Sequence, residues 1–358
     1  MEPSSAFVQR RARFEERSRR YEARGYDRVA VARFVAAVLD SVAGEVLDVG
    51  TGKGLLALAL AARGLSVVTV DPDPAEQELA AWLGREAGVE DHLHIVTGDA
   101  GSLPYADGHF SAAASLDALH HLTDPLPILK EMVRTLRPDG AILLADFSRE
   151  GFDLVASVHR EEGRMHPESG VTIDDAAAVL RECGFGVALR FTKHLHDIAV
   201  FARHADAVGQ SALRETRRLA HAHCLVCGAE NPGGLRLNFA VQPDRSVHAV
   251  FEGGASFQGY PDAMHGGLIA TLLDSAMTNC LFSSGVVAVT ARLNVRYVEP
   301  GRWHLPCAVR AKVDRSSRGV HYLSAEVRQE GRVIARATGT FANRPCPADP
   351  VSTPVHAT

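Results

Sequence analysis

Val46-Leu-Asp-Val-Gly-Thr-Gly-Lys-Gly54 reads as a short apolar strand that breaks into three glycines at alternate positions. The apolar run behind it, Leu55 to Ala62, predicts a helix. Glycines in such a turn let the backbone bend sharply and let a ligand approach the main chain. The helix points its free N–H groups at whatever occupies the turn. Two carboxylates flank this feature. Asp48 stands at the strand end, two residues before the first glycine. Asp71 closes the next apolar run, Leu65-Ser-Val-Val-Thr-Val-Asp71, where the second strand of a nucleotide fold places its ribose acceptor. From Val46 to about Ala145, strands and helices alternate at a βαβ rhythm. That rhythm predicts an α/β, doubly wound parallel sheet with helices on both faces.

Asp48 argues against a nicotinamide cofactor, because a pyrophosphate beside a buried carboxylate sets like charge against like charge. A ligand carrying an ammonium and a sulfonium meets the opposite sign. The pattern Asp-x-Gly-x-Gly-x-Gly resembles the first motif of class I S-adenosylmethionine (SAM)-dependent methyltransferases, and further stretches follow in that family's order. Gly98-Asp99-Ala100, Leu103-Pro104 and Asp107-Gly-His-Phe110 resemble the adenine-binding turn and the segment after it. Leu119-His120-His121 with Asp124-Pro125 resembles the region after strand four. Leu136-Arg-Pro-Asp-Gly140 before Ala141-Ile-Leu-Leu-Ala145 resembles the turn into strand five. The resemblance implies a Rossmann-like domain over residues 1–205 that uses SAM as methyl donor. It assigns the cofactor to Asp48, Gly50, Thr51, Gly52, Gly54, Asp71, Pro72, Asp99, Ala100 and Leu116. His120 and His121 stand where methyl acceptors bind in that family, either as a general base or as pocket lining. Residues 1–43 are expected to be helical and to cap the site. A helix over Thr172–Cys183 and strands over Val187–Thr192 and His196–Arg203 complete the expected sheet. Before that helix, in the segment Phe147 to Glu168 whose structure the sequence leaves open, His159, Arg160, Arg164 and His166 form a dense polar set, suited to an anionic acceptor or to solvent.

At 358 residues the chain is too long for one ordinary domain. Apolar content of 46% and charge of 23% are those of a soluble globular protein. A net charge of −5 carries no basic footprint for nucleic acid. No apolar run reaches the length of about 18 residues that a membrane span needs. The N-terminus lacks a signal core, and its arginines (Arg10 to Arg20) interleave with Glu15, Glu16 and Glu22 at helical spacing. Six cysteines without a disulfide framework suit a reducing cytoplasm. Neither nucleic acid nor membrane is expected as a partner.

Residues 206–220 are polar, helix-prone and poor in large apolar groups, and are expected to be a linker. Beyond them come strand-like runs at Leu235–Gln242, Ser246–Glu252, Val286–Val298, Cys307–Val313, Tyr322–Gln329 and Val333–Phe341. One helix interrupts them, opening at His265-Gly266-Gly267, with a wide apolar stripe (Leu268, Ile269, Leu272, Leu273, Ala276, Met277). One buried helix in a curled antiparallel sheet is the hotdog architecture, an α+β domain expected over 221–345 with a flexible tail at 346–358. Cys224-Leu-Val-Cys-Gly228, Asn231-Pro-Gly-Gly-Leu235, Phe257-Gln-Gly-Tyr-Pro261, His265 to Asp274 and Asn294-Val-Arg-Tyr-Val-Glu-Pro300 resemble the phenylacetate-pathway type of hotdog thioesterase.

That resemblance implies an acyl-CoA substrate. Gly266 and Gly267, behind His265, would offer N–H donors at the positive end of the helix to an oxyanion. Asp274 would activate water or attack the thioester, and Thr290 would position the water or serve as an ordinary strand residue. Gly259 stands where many relatives carry an Asn, with Gln258 beside it to do the orienting. Gly266 and Asp274 lie about 12 Å apart by helix rise, too far to act on one carbonyl, so a homodimer or tetramer is required. His221, His223, Cys224 and Cys227 have the spacing of zinc ligands, but with a single such knuckle no metal is expected. The reading is a bifunctional enzyme, a small-molecule methyltransferase joined to a thioesterase. Its alternative is a methyltransferase whose hotdog domain only dimerises or binds acyl-CoA.

Overall fold

The computed structural model describes residues 5–40, 42–163, 170–203 and 207–344. It divides into two compact units, Met1–Ala205 and Asp206–Thr358. In the first, α1 (Ser5–Glu22) and α2 (Arg28–Val38) precede the sheet. Asp27 caps α2, its carboxylate accepting the Val29 and Ala30 N–H groups. Then follow β1 (Glu45–Val49), α3 (Leu55–Ala61), β2 (Ser66–Asp71), α4 (Pro74–Glu86), β3 (Leu93–Thr97) and β4 (Phe110–Leu116). After them come α5 (Leu126–Thr135), β5 (Leu136–Phe147), α6 (Arg149–Glu161), α7 (Ile173–Glu182), β6 (Gly186–Lys193) and β7 (His196–Ala202). The strand order is β3-β2-β1-β4-β5-β7-β6. The first five strands are parallel, and β7 runs antiparallel to both its neighbours. Val46, Leu47, Ala112, Ala113 and Ala114 are fully buried, as central strands covered on both faces must be. Between β1 and β4 the strand order reverses, and there a crevice opens at the carboxyl ends.

One local feature departs from the sequence reading, and a second fills a segment that the sequence left open. Strand β5 begins at Leu136, which pairs with Phe110; Arg137–Gly140 then bulge before Ala141 pairs with Ala112. A side chain at Gly140 would place its Cβ 2.4 Å from Leu136 Cδ2 and 3.1 Å from the Ser111 carbonyl, so the bulge leaves little room for more than glycine. The segment after Phe147 opens as α6, capped by Ser148. Arg164 and His166 of the polar set lie outside the described residues.

The second unit contains α8 (Ala207–Ala220), β8 (Ala240–Val241), β9 (Val247–Phe251), β10 (Gln258–Tyr260), β11 (Ala263–Met264), α9 (Gly266–Phe282), β12 (Ala288–Tyr297), β13 (Cys307–Ser317), β14 (Val320–Gln329) and β15 (Arg332–Asn343). An antiparallel sheet, β12-β15-β14-β13-β9-β8, wraps α9 in the hotdog manner. Leu272, Leu273, Ala276, Met277 and Phe282 of that helix are fully buried. Within the expected linker, Ala207–Ala220 form α8, whose Leu213 is buried in the α9 core, and whose Gln210 bonds the Phe239 carbonyl and the Val241 N–H. Of the expected strand Leu235–Gln242, only Ala240 and Val241 pair. Leu237 and Phe239 fill the core from an irregular segment that bonds back onto Leu225 and Val226. Among the described residues, no helix is long and apolar enough to cross a membrane.

Candidate functional site

The glycine turn after β1 puts three residues in the left-handed region, with φ of 89° at Gly50, 46° at Gly52 and 79° at Gly54. A Cβ on Gly50 would lie 2.7 Å from Ala118 Cβ, and one on Gly54 would lie 2.6 Å from Ala80 Cβ. A Cβ on Gly52 would meet nothing within 4 Å. Packing thus demands the outer two glycines, while Gly52 faces open space. The Asp71 carboxylate is pinned across the turn by the N–H groups of Gly52 (2.8 Å) and Asp73 (2.9 Å).

This turn forms one wall of a cavity of about 400 Å³, within the usual range for a small-molecule site. Gly50, Thr51, Gly52, Asp71, Leu116, His120 and His121 all line it, and Tyr21, Tyr26 and Arg28 from the N-terminal helical segment lie across from the turn. Asp48, Gly54, Pro72, Asp99 and Ala100 are not on its wall. Asp99 is exposed and accepts the Gly101 N–H at 2.8 Å, while Ala100 sits in the core. Asp48 is 1% exposed. Its Oδ2 accepts from Thr69 Oγ1 at 2.6 Å, and its Oδ1 has no hydrogen-bond partner among the described residues. Burial pushes its pKa from 3.8 up to about 7, so the fixed negative charge expected there becomes a group that titrates near neutrality.

His120 is buried, and its Nδ1 donates to Asp146 Oδ1 at 2.6 Å while its backbone N–H reaches Asp146 Oδ2 at 3.0 Å. That contact orients the ring and, in the neutral imidazole, puts the lone pair on Nε2. The His121 ring lies 4.0 Å from it, and burial together with His120 lowers the His121 pKa below the ordinary imidazole value.

Sequence reasoning missed a second network on the same wall. Asp117 holds a left-handed φ of 57°. Its Oδ1 faces His196 Nε2 at 2.7 Å, and its Oδ2 accepts from the Tyr26 hydroxyl at 3.3 Å. His196 Nδ1 faces the His194 carbonyl at 2.6 Å. Both ring nitrogens therefore meet acceptors and both must donate, which makes His196 an imidazolium. Burial opposes that charge, but Asp117 outweighs it and the pKa is raised. Arg28 lines the cavity itself, as do Arg17 and Lys53. It donates to Ser18 Oγ at 2.6 Å and lies over the Phe14 and Tyr21 rings. Its Nε has no hydrogen-bond partner among the described residues.

In the second unit, His265 caps α9 with Nδ1 accepting the Gly267 N–H at 3.0 Å. This corrects the expectation of two available donors at the helix start: Gly267 is used locally, which leaves Gly266. Tyr297 donates to the Gly266 carbonyl at 2.8 Å, a contact the sequence did not single out. Gln258 is exposed on β10 and pairs with Met264, beside His265. A Cβ on Gly259 would lie only 3.1 Å from His265 Cα, leaving little room there for an Asn. Two turns further along α9, the half-buried Asp274 accepts from Thr290 Oγ1 at 2.7 Å. Thr290 is exposed on β12, the edge strand of the sheet.

Residues 47–144 match the family model of a methyltransferase domain, and residues 262–335 match that of the thioesterase superfamily. The chain carries a methyltransferase domain followed by a thioesterase-superfamily domain. It is 33% identical over 156 residues to the 27-O-demethylrifamycin SV methyltransferase of Amycolatopsis mediterranei, covering 42% of this chain and 57% of that protein. It is 38% identical over 135 residues to the demethylmenaquinone methyltransferase of Clavibacter sepedonicus, covering 36% of this chain and 52% of that one. A solved hypothetical thioesterase protein with coenzyme A from Streptococcus pneumoniae aligns at 22% identity with a TM-score of 0.27, covering 27% of this chain and 80% of that one. The chain spans about half the length of these two curated relatives.

Proposed function

We propose that the chain is a bifunctional enzyme that methylates a small molecule with SAM and hydrolyses an acyl-CoA thioester. The cavity under the glycine turn carries the first half of this reading. Its residues fit SAM: Gly52 opens onto free space, and Asp71 suits ribose hydroxyls. Asp48 Oδ1, a buried acceptor without a partner among the described residues, favours a cationic neighbour beyond the turn. When bound, SAM supplies a methyl carbon made electrophilic by a positively charged sulfur. His120, oriented by Asp146, accepts the proton of the acceptor's nucleophile at Nε2. His121, whose lowered pKa keeps it neutral at neutral pH, stands beside it. Tyr21, Tyr26 and Arg28 screen the site from water.

In the thioesterase-superfamily domain, the Gly266 N–H at the positive end of α9 polarises the thioester carbonyl. Asp274, held by Thr290, takes a proton from water as the oxygen attacks the carbonyl carbon. The tetrahedral intermediate then collapses, the C–S bond breaks, and Asp274 passes its proton to the sulfur so that coenzyme A leaves as its thiol. Helix rise keeps Gly266 and Asp274 of one chain about 12 Å apart, so the site is built from two subunits that meet along β12. Capture of the Gly267 N–H by His265 favours a second reading, in which this domain binds acyl-CoA without turning it over. Incubating the full chain with isotopically labelled SAM and a small-molecule mixture, beside an acyl-CoA panel with a thiol reporter, tests both halves. Label transfer and thiol release are expected. Absence of label transfer sinks the first half, and acyl-CoA binding without thiol release selects the second reading.

A further inference from the structure

Ahead of the hotdog sheet, the chain makes a tight turn that neither proposed reaction uses. His221 follows directly on α8, and the chain then curls through Cys224 and Cys227 to Gly228. The curl is tight enough that a Cβ on Gly228 would lie 2.3 Å from the Cys224 nitrogen. It brings one nitrogen of His221 and both sulfurs to within 4.8 Å of one another. Cys227 Sγ lies 3.9 Å from His221 Nδ1. Cys224 Sγ accepts the Val226 N–H at 3.4 Å, a backbone donor of the kind that supports a thiolate. His223 does not join them; it is exposed and turned toward Glu230 at 3.4 Å.

Asn279 of α9 supplies an independent observation. It is fully buried, it contacts Cys227, and its Nδ2 donates to the Ser275 carbonyl at 2.8 Å. Its Oδ1 has no hydrogen-bond partner among the described residues. A buried carboxamide oxygen without a partner is costly unless something at the site satisfies it. A plain turn explains Gly228, but it explains neither the convergence of two sulfurs and an imidazole nor this oxygen.

We propose that His221, Cys224 and Cys227 bind one zinc ion, against the sequence expectation of no metal. Two sulfurs and one imidazole nitrogen are a donor set that selects zinc among the common divalent ions. The fourth position falls to a water for which Asn279 Oδ1 is the acceptor. Cys227 is buried while His221 and Cys224 are half-buried, so the ion reaches the site from solvent along one side. The metal would clasp the end of α8 to the knuckle and, through Asn279, to α9. Its role is to hold the fold, since no substrate group of the proposed reactions touches it.

The test uses the full chain without a histidine tag, expressed with added zinc, purified under reducing conditions and analysed for metal by mass spectrometry. About one zinc per chain is expected for the wild type, and about a tenth of that or less for Cys224→Ser and Cys227→Ser. His223→Gln is expected to keep its zinc. Should the cysteine variants not fold, cobalt added to zinc-stripped wild type answers the same question through a thiolate-to-cobalt charge-transfer band. A folded, reduced wild type that holds no zinc and shows no such band overturns the proposal. Folded Cys227→Ser with undiminished zinc also overturns it, as does loss of the metal in His223→Gln.

Discussion

Asp48 and Asp274 are both carboxylates held by a threonine hydroxyl, Thr69 at 2.6 Å and Thr290 at 2.7 Å, and they sit in opposite surroundings. Asp48 is sealed beneath the glycine turn, 1% exposed. Asp274 is half-buried beside an exposed threonine on an edge strand. The same pair of side chains therefore does different physical work. In the sealed site burial opposes ionisation, and the carboxyl group becomes responsive to any cation that its own chain gathers nearby. In the open site water has access, and the proposed oxyanion donor must come from a second copy of the chain. On the proposed reading, one pocket is finished by folding and the other by association.

The comparison can be broken most visibly at Asp274. Asp274→Ala is expected to lower acyl-CoA hydrolysis by roughly 10²–10⁴-fold while SAM binding, followed by calorimetry, stays unchanged. Gly266→Val is expected to be equally inactive, because a branched side chain there crowds Tyr297 and the approach to the helix start. Co-expressed under different tags, the two inactive chains should regain activity, since one of the two sites then combines an intact Gly266 with an intact Asp274. Mixed dimers that form and stay silent, next to an active wild type, would remove the contrast altogether.

Asp71→Ala comes next, with an expected loss of SAM affinity of about 1–3 kcal/mol. Unchanged affinity in that variant would take Asp71 out of the binding site.

Asp48 sharpens the sealed half. With its pKa at about 7, binding of a cation beyond the turn should draw off its proton. Affinity should then fall about tenfold for each pH unit below that value, and the binding heat should change with the ionisation heat of the buffer. Asp48→Asn should abolish both dependences; a pH-independent affinity in the wild type speaks against a cation near Asp48. The sign for the unliganded fold follows from the same shift. An acid whose pKa is raised on folding favours the protonated native state, so its contribution is present at low pH and is lost as pH rises from 3.8 through about 7. The smallest effect is expected at Thr290→Val, about 1 kcal/mol, or roughly fivefold in kcat, with KM unchanged. An unchanged kcat would make Thr290 an ordinary strand residue.

Both architectures were legible because each announces itself locally. The first does so through three alternate glycines between an apolar strand and helix, the second through a helix apolar nearly all round between alternating strands. The places of Asp71, His120 and His121 on the cavity wall were legible for the same reason, since they stand at or shortly after strand ends. The network of Tyr26, Asp117 and His196 was not. Its members stand 91 and 79 residues apart, and they meet only because β7 inserts beside β5. Helix α8 was hidden by its composition, since one buried leucine and one glutamine bonded to backbone anchor an otherwise polar segment. The strand expected at Leu235–Gln242 failed for the converse reason. Alternating apolar residues can plug a core from an irregular segment, and periodicity alone does not separate the two cases.

Strand β12 pairs with β15 on one side only, and it exposes Val289 and Tyr297 along with its outer row of backbone groups. In a single chain such an edge is a template for indiscriminate pairing between chains, and the proposed dimer would cover it. Damage that keeps two chains from meeting along it would therefore show as lost soluble yield together with lost thioester hydrolysis. Because both domains share one polypeptide, each chain withdrawn into such an aggregate would withdraw a methyltransferase domain with it, and the two proposed activities would decline together in the cell.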